Sequence, residues 1–216
     1  MRTDLELLNA WRSGDARAGE ELVERHWDGV SRFVRGKIGD DSADLISQPF
    51  LACVEARDRI EEGNVKAYVF AVARRRIADH FRRRARRPNE PIDVLQSSLA
   101  DLGPGVVTEL DRRRRGELLR AGLARIPLDD QIALELAYFE QLSTKELAAV
   151  LEIPENTVRS RLSRARAKLR DQLGALEPAL VARGGVNEGL RGLELGSHAE
   201  EEVLAAVRGD ELDADR

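Results

Sequence analysis

The chain has one cysteine, one methionine and three histidines in 216 residues, and only 4% of it is aromatic. A lone Cys53 excludes an internal disulfide, and its apolar neighbours point to a buried filler rather than a reactive thiol. His26, His80 and His198 have no acid or cysteine at ligand or triad spacing, and no glycine-rich phosphate loop occurs. The sequence thus offers no catalytic residue, metal set or cofactor site, and an enzyme is not expected. No apolar run approaches the about 20 residues that span a bilayer. The start, "MRTDLELLNAW", lacks the basic-then-apolar order of a secretory signal. The cytoplasm is the expected location.

Charge is what the chain has in quantity. Charged residues make up 34%, and the net charge of -4 hides an uneven distribution. From Arg74 to Arg87 eight arginines surround one acid, Asp79; from Arg159 to Arg170 six basic residues have no acid among them. The last forty residues hold the acidic clusters Glu200–Glu202 and Asp210–Asp215. A solvated face, a polybasic membrane patch or a nucleic-acid track could each explain the first block. Eight mutually repelling arginines favour a polyanion, which they would hold by salt-dependent phosphate contacts. The acidic tail either masks a basic block or keeps the chain soluble.

Apolar periodicity predicts an all-α fold of two small helical domains joined by a flexible linker. The first domain, residues 1–87, opens with a helix capped by Thr3 or Asp4 and carrying Leu5, Leu8 and Trp11, with a stop at Ser13-Gly14-Asp15. A second helix follows from about Asp15 to Lys37, its stripe formed by Leu22, Val23, Trp27, Val30 and Phe33. The stretch Asp40 to Ile60 places Leu45, Ile46, Phe50, Cys53 and Val54 on one stripe, yet Pro49 falls inside it. An interior proline loses a hydrogen bond, clashes with the preceding turn and costs about 3 kcal/mol relative to alanine. A turn at Glu61–Asn64 leads into Val65 to Arg86, where Tyr68, Val69, Val72, Ile77 and Phe81 face inward. Residues 88–107, rich in proline, glycine and serine, read as the linker. Residues 108–173 form the second domain, with patterning to about Leu176, and 174–216 a glycine-rich acidic tail with one short helix around His198 to Val207.

The most specific signal is "LSTKELAAVLEIPENTVRSRLSRARAKLR", Leu142 to Arg170. Ser143 and Glu146 form a capping-box pattern opening a short helix with Leu147, Ala148 and Leu151 on its apolar side. After the turn "EIPEN", Pro154 suits the first position of a helix whose inward residues are Val158, Leu162, Ala165 and Leu169. Arg159, Ser160, Ser163 and Arg164 remain on other faces. A short helix, a tight turn and a polar-faced second helix describe a helix-turn-helix, whose second helix enters the major groove. A purely structural helix hairpin explains the basic face less well.

Two helical domains, each with a basic helix, resemble the bacterial sigma-70 family, most closely its extracytoplasmic-function (ECF) sigma factors. The likeness spans roughly residues 4 to 173 and is most specific in "IPLDDQIALELAYFEQLSTKELAAVLEIPENTVRSRLSRARAKLR". It implies a factor that directs RNA polymerase core, through its clamp and flap, to promoters and aids their melting. It assigns -35 duplex contacts to Asn156, Thr157, Arg159, Ser160, Ser163 and Arg164. It assigns capture of the melted -10 strand to the loop Glu61, Glu62, Gly63 and Asn64, with Lys66, Tyr68, Arg75, Asp79, His80 and Arg83 on the adjoining helix. Base edges hidden in a duplex are exposed there. Clamp binding falls to Asp41, Asp44, Leu45, Ser47 and Gln48. Ser47 and Gln48 replace the family's usual Gln-Glu, and Arg75 stands where an asparagine is common. Pro49 then has two readings: the helix is kinked or restarted at Ser47 and works, or clamp binding is weakened. Such a chain could also have an anti-sigma factor as partner. The alternative function is a polymerase-independent helix-turn-helix regulator, for which no dimer surface or ligand pocket is evident.

Overall fold

Residues 1–39, 42–61, 64–86, 116 and 118–176 are described by a computed structural model, and among them are eight helices and no strand. The described residues form two compact units, one holding the four helices within residues 4–85 and the other centred on the helices within residues 118–138 and 155–176. The all-α expectation holds. Residues 88–107, the expected linker, and the tail beyond Leu176 lie outside the described residues.

Helix α1 (Asp4–Arg12) begins with a full capping box: Glu6 N–H donates to Thr3 Oγ1, and Thr3 N–H donates to the Glu6 carboxylate at 2.6 Å. Thr3 is therefore the cap, which frees Asp4 for α2. The helix stops at Ser13, Gly14 takes a positive φ of 101°, and the Asp15 carboxylate accepts the first N–H groups of α2 (Ala16–Ile38). Arg12 ties the end of α1 to the end of α3 by donating to the carbonyls of Arg57 and Ile60.

The core stripe of α2 runs through Leu22, His26, Val30, Phe33 and Val34. Trp27, expected inside, is 40% exposed and stacks on Phe50 of α3 at 5.2 Å. Its position is one step off the stripe, and His26 occupies the inward place instead. A histidine is stable there because its Nε2 donates to the Asp4 carboxylate at 2.6 Å.

Helix α3 (Ala43–Ala56) runs through Pro49 without interruption, so it is not restarted at Ser47. Pro49 is its seventh residue and belongs to the buried face with Ile46, Phe50, Cys53 and Ala56. Burial pushes the Cys53 thiol up to about 11, consistent with a filler. Val54, expected on the stripe, is 45% exposed, and Leu45 is only half-buried. The buried face runs through Ile46, Pro49, Phe50, Cys53 and Ala56, and Leu45 and Val54 flank it on opposite sides.

Helix α4 (Val65–Ala85) is buried on several sides along its first half because α1, α2 and α3 all pack on it. Phe70 is fully buried and meets Phe33 edge-to-face at 5.4 Å. Val69, Val72 and Ile77 are inward as expected, whereas Tyr68 and Phe81 are half-buried. The second half of α4 emerges with its arginines.

In the second unit, α5 (described over residues 118–123), α6 (Leu128–Tyr138) and α8 (Glu155–Leu176) share one core of Leu119, Leu123, Ile126, Leu134, Tyr138, Ala165, Leu169 and Leu173. Helix α7 (Thr144–Leu151) buries Leu147 and Leu151 and leads into α8 through Glu152, Ile153 and Pro154.

Candidate nucleic-acid interface

The turn between α7 and α8 is built as the motif requires. The Ser143 and Glu146 capping box is complete, with Ser143 N–H donating to the carboxylate at 2.7 Å and Glu146 N–H to the hydroxyl at 3.3 Å. Glu152 ends α7 with a positive φ of 56°. Pro154 stands immediately before α8 rather than at its first position, and its carbonyl accepts from Thr157 and Val158. Proline's missing N–H is harmless at either place.

On α8, Val158, Ala165, Leu169 and Leu173 are buried, and the opposite side carries the expected contact residues. Asn156, Arg159, Ser160, Ser163 and Arg164 are exposed and Thr157 is half-buried. Positions 156, 160, 163 and 164 follow the i, i+4, i+7, i+8 spacing of one face. The Ser160 hydroxyl donates back to the Thr157 carbonyl, and Arg164 Nε donates to the Ser160 carbonyl, which holds that guanidinium along the helix.

The other cations of this basic stretch act differently, and charge counting missed it. Arg161 pairs with Asp129 at 3.7 Å, Lys168 with Asp130, and Arg166 donates to the Tyr138 hydroxyl at 3.2 Å. They fasten α8 to α6. The signal was available in "LDDQ", two acids in the first turn of the neighbouring helix. Half of the apparent basic block is thus structural, and Arg159 and Arg164 are the cations directed outward from the motif's N-terminal half.

In the first unit, Asn64, Tyr68, Arg75 and Asp79 fall along one side of α4, with Arg83 beside it and His80 and Lys66 further round. Tyr68 is half-buried, its hydroxyl donating to the Ala52 carbonyl at 3.4 Å. Asp79 pairs with Arg82 at 2.8 Å, Arg75 Nε donates to the Ala71 carbonyl, and His80 meets Phe81 edge-to-face. Arg83 and Glu61 are exposed, while Glu62 and Gly63 lie outside the described residues. The Asn64 side-chain oxygen, at the start of this helix, is buried without a hydrogen-bond partner among the described residues.

Of the residues expected to meet the clamp, Asp44 is exposed and Leu45, Ser47 and Gln48 are half-buried; Asp41 lies outside the described residues. The Ser47 hydroxyl donates to the Asp44 carbonyl at 3.1 Å. On the same helix Leu51 (59% exposed) and Val54 are exposed, as is Trp27 of α2, an exposure that the stripe-based reading missed. Together with Met1 these are the exposed large hydrophobics among the described residues.

A basic-helix unit followed by a helix-turn-helix unit defines a class of transcription factor, and comparison with known proteins specifies it. The family model for sigma-70 region 2 matches residues 22–87, and that for sigma-70 region 4 matches residues 116–169. The chain is similar to the ECF RNA polymerase sigma factor SigM of Mycobacterium tuberculosis, at 26% identity over 84% of this chain and 90% of SigM. It is also similar to the ECF RNA polymerase sigma-E factor of Escherichia coli, at 26% identity over 81% and 96%. Among solved structures it resembles CnrH in complex with the cytosolic domain of CnrY, with a TM-score of 0.55 and 26% identity over 81% of this chain and 99% of that one. The fold is also that of RpoE from Bartonella quintana, solved with the anti-sigma factor NepR, with a TM-score of 0.57 and 23% identity over 71% and 95%. The chain belongs to the ECF group of the sigma-70 family. It is a sigma factor, directing RNA polymerase core to promoters in transcription initiation. A region 2 match leaves the polymerase-independent regulator without support.

Proposed function

We propose that this sigma factor divides its work among three helices. The outer face of α8 reads the -35 duplex through Asn156, Thr157, Arg159, Ser160, Ser163 and Arg164, with arginine suited to guanine and the hydroxyls to phosphates. The 61–64 loop and α4 hold the melted -10 strand, with Asn64 offering a buried acceptor to an extruded base and Lys66, Tyr68, Arg75, Asp79, His80 and Arg83 lining its path. Helix α3 docks on the polymerase clamp through Asp41, Asp44, Leu45, Ser47 and Gln48, extended by Leu51 and Val54. The domains take residues 1–87 and 108–173, the second also meeting the flap. The factor works in the cytoplasm, performs no catalysis itself, and is a candidate for control by an anti-sigma factor of the kind seen with its structural relatives.

The observation that carries this reading is the sorting of side chains on α8: the expected contact residues point outward, while Arg161, Arg166 and Lys168 are turned to α6. Gel filtration with cognate core RNA polymerase tests it. The natural chain is expected to co-elute with core, and an Asp44→Ala, Gln48→Ala chain of unchanged helix content to bind at least about tenfold more weakly, the scale of buried interfacial contacts. A natural chain that fails to bind core overturns the reading.

A further inference from the structure

We infer that the acidic C-terminal segment, residues 197–216, docks on the arginine face of α4 in its own chain and competes there with nucleic acid. The competition rests on the -10 reading of α4; the docking does not.

The surface is strongly unbalanced. Arg76 and Arg83 on α4 and Arg86 at its C-cap fall on one side, two turns and then one turn apart, and none has a side-chain hydrogen bond or ion pair among the described residues. The single acid of this helix, Asp79, is already taken by Arg82. The negative end of the helix dipole offsets roughly half a charge. The rest awaits a polyanion.

The chain supplies one. Residues 177–216 contain ten acids and four arginines, and seven of those acids fall in 197–216 around the apolar run Val203–Val207. The two family models end at residue 169, so this segment lies beyond the matched regions, and CnrH is matched over 99% of its own length but 81% of this chain. The competing surface on α8 is less suited, because Arg161, Arg166 and Lys168 have partners on α6. Residues 177–199 can span at most about 83 Å, and a tether that spans its two sites raises the local concentration to the order of millimolar. A contact too weak to form between separate molecules is then occupied within one. Being ionic and exposed, it weakens as salt rises.

Two readouts test this in the full chain, with Glu200→Gln, Glu201→Gln, Glu202→Gln as the variant. A control with Glu20→Gln, Glu24→Gln, Asp28→Asn on exposed positions of α2 carries the same charge change. In amide and guanidinium NMR spectra at 50 mM salt, the tail variant is expected to shift the signals of Arg76, Arg83 and Arg86, and the control to leave them. No shift on α4 overturns the docking. Shifts that grow with protein concentration assign the contact to a second copy and overturn docking within one chain. In anisotropy with fluorescein-labelled dT20, the tail variant is expected to bind about fivefold tighter than the natural chain, the difference vanishing at 400 mM salt. Equal tightening by the control reduces the effect to net charge and overturns the competition. Shifts on α4 with no strand binding by any chain support the docking and overturn the nucleic-acid reading of α4 instead.

Discussion

At the scale of single residues, two close approaches hold α1 to α2. A Cβ built on Gly19 would lie 2.6 Å from the Trp11 ring, a rigid body wedged between helices. Gly19→Ala is therefore expected to destabilise the first unit by about 1–3 kcal/mol, as overpacking does, read as a lower urea midpoint. The second approach is polar. Asp4 receives His26 at 2.6 Å and Arg25 at 2.7 Å, and the His26 hydrogen bond above all holds its carboxyl below the usual carboxylate range. A depressed folded value means stability that is complete above the unfolded carboxylate range and lost as pH falls through the folded value. Asp4→Asn is thus expected to cost about 1–3 kcal/mol at pH 7, with the gap to the natural chain closing below about pH 4. Urea unfolding at pH 7 and at pH 3.5 checks both parts; a gap independent of pH contradicts the assignment. Neither contact was legible in the sequence. Gly19 read as one small residue in a helix, and His26 had no acid within helical reach, because its partner stands 22 positions earlier.

At the scale of elements, the helices were legible because their apolar periods are long and their caps are explicit. Ser143-x-x-Glu146, Gly14 and Asp15 mark boundaries by local hydrogen bonding alone, and the structure keeps each. The phase of the buried stripe was less legible. On α2 and α3 a tryptophan and a valine stand beside the stripe and face outward, since hydrophobicity cannot distinguish a core from a partner surface. Pro49 is the sharpest case. It is inside a continuous helix with its ring in the core, so it loses the N–H that would meet the Leu45 carbonyl but gains burial. Alanine would recover about 3 kcal/mol of helix propensity and forfeit about 1–2 kcal/mol of buried ring. Pro49→Ala is expected to be more stable by about 1–2 kcal/mol in thermal unfolding. Because the outward residues Asp44, Gln48 and Leu51 are on the side away from the ring, its affinity for core polymerase is expected to stay within about twofold. A tenfold gain would show that the proline weakens clamp binding.

At the scale of the whole molecule, charge is placed by function rather than by average. Net charge predicted nothing, and even the local blocks misled: of six cations from Arg159 to Arg170, three are engaged with α6. A cation held against its own carboxylate releases few counterions when a phosphate arrives, whereas an outward one contributes close to its full share, a slope of about -0.9 in log K against log salt per phosphate neutralised. For duplex DNA carrying a cognate -35 element, Arg159→Ala in the full chain is expected to weaken binding and flatten the salt dependence by about one such step. Arg161→Ala is expected to leave the slope nearly unchanged. Its effect appears in stability instead, and stays below about 1 kcal/mol because its pair with Asp129 is 3.7 Å long and partly solvated. The two variants remove the same charge two residues apart on one helix, so net charge alone predicts equal slopes. Anisotropy titrations between 50 and 200 mM salt separate the alternatives, and equal flattening by both would mean that α8 meets DNA across a wider face than Asn156, Arg159, Ser160, Ser163 and Arg164 define.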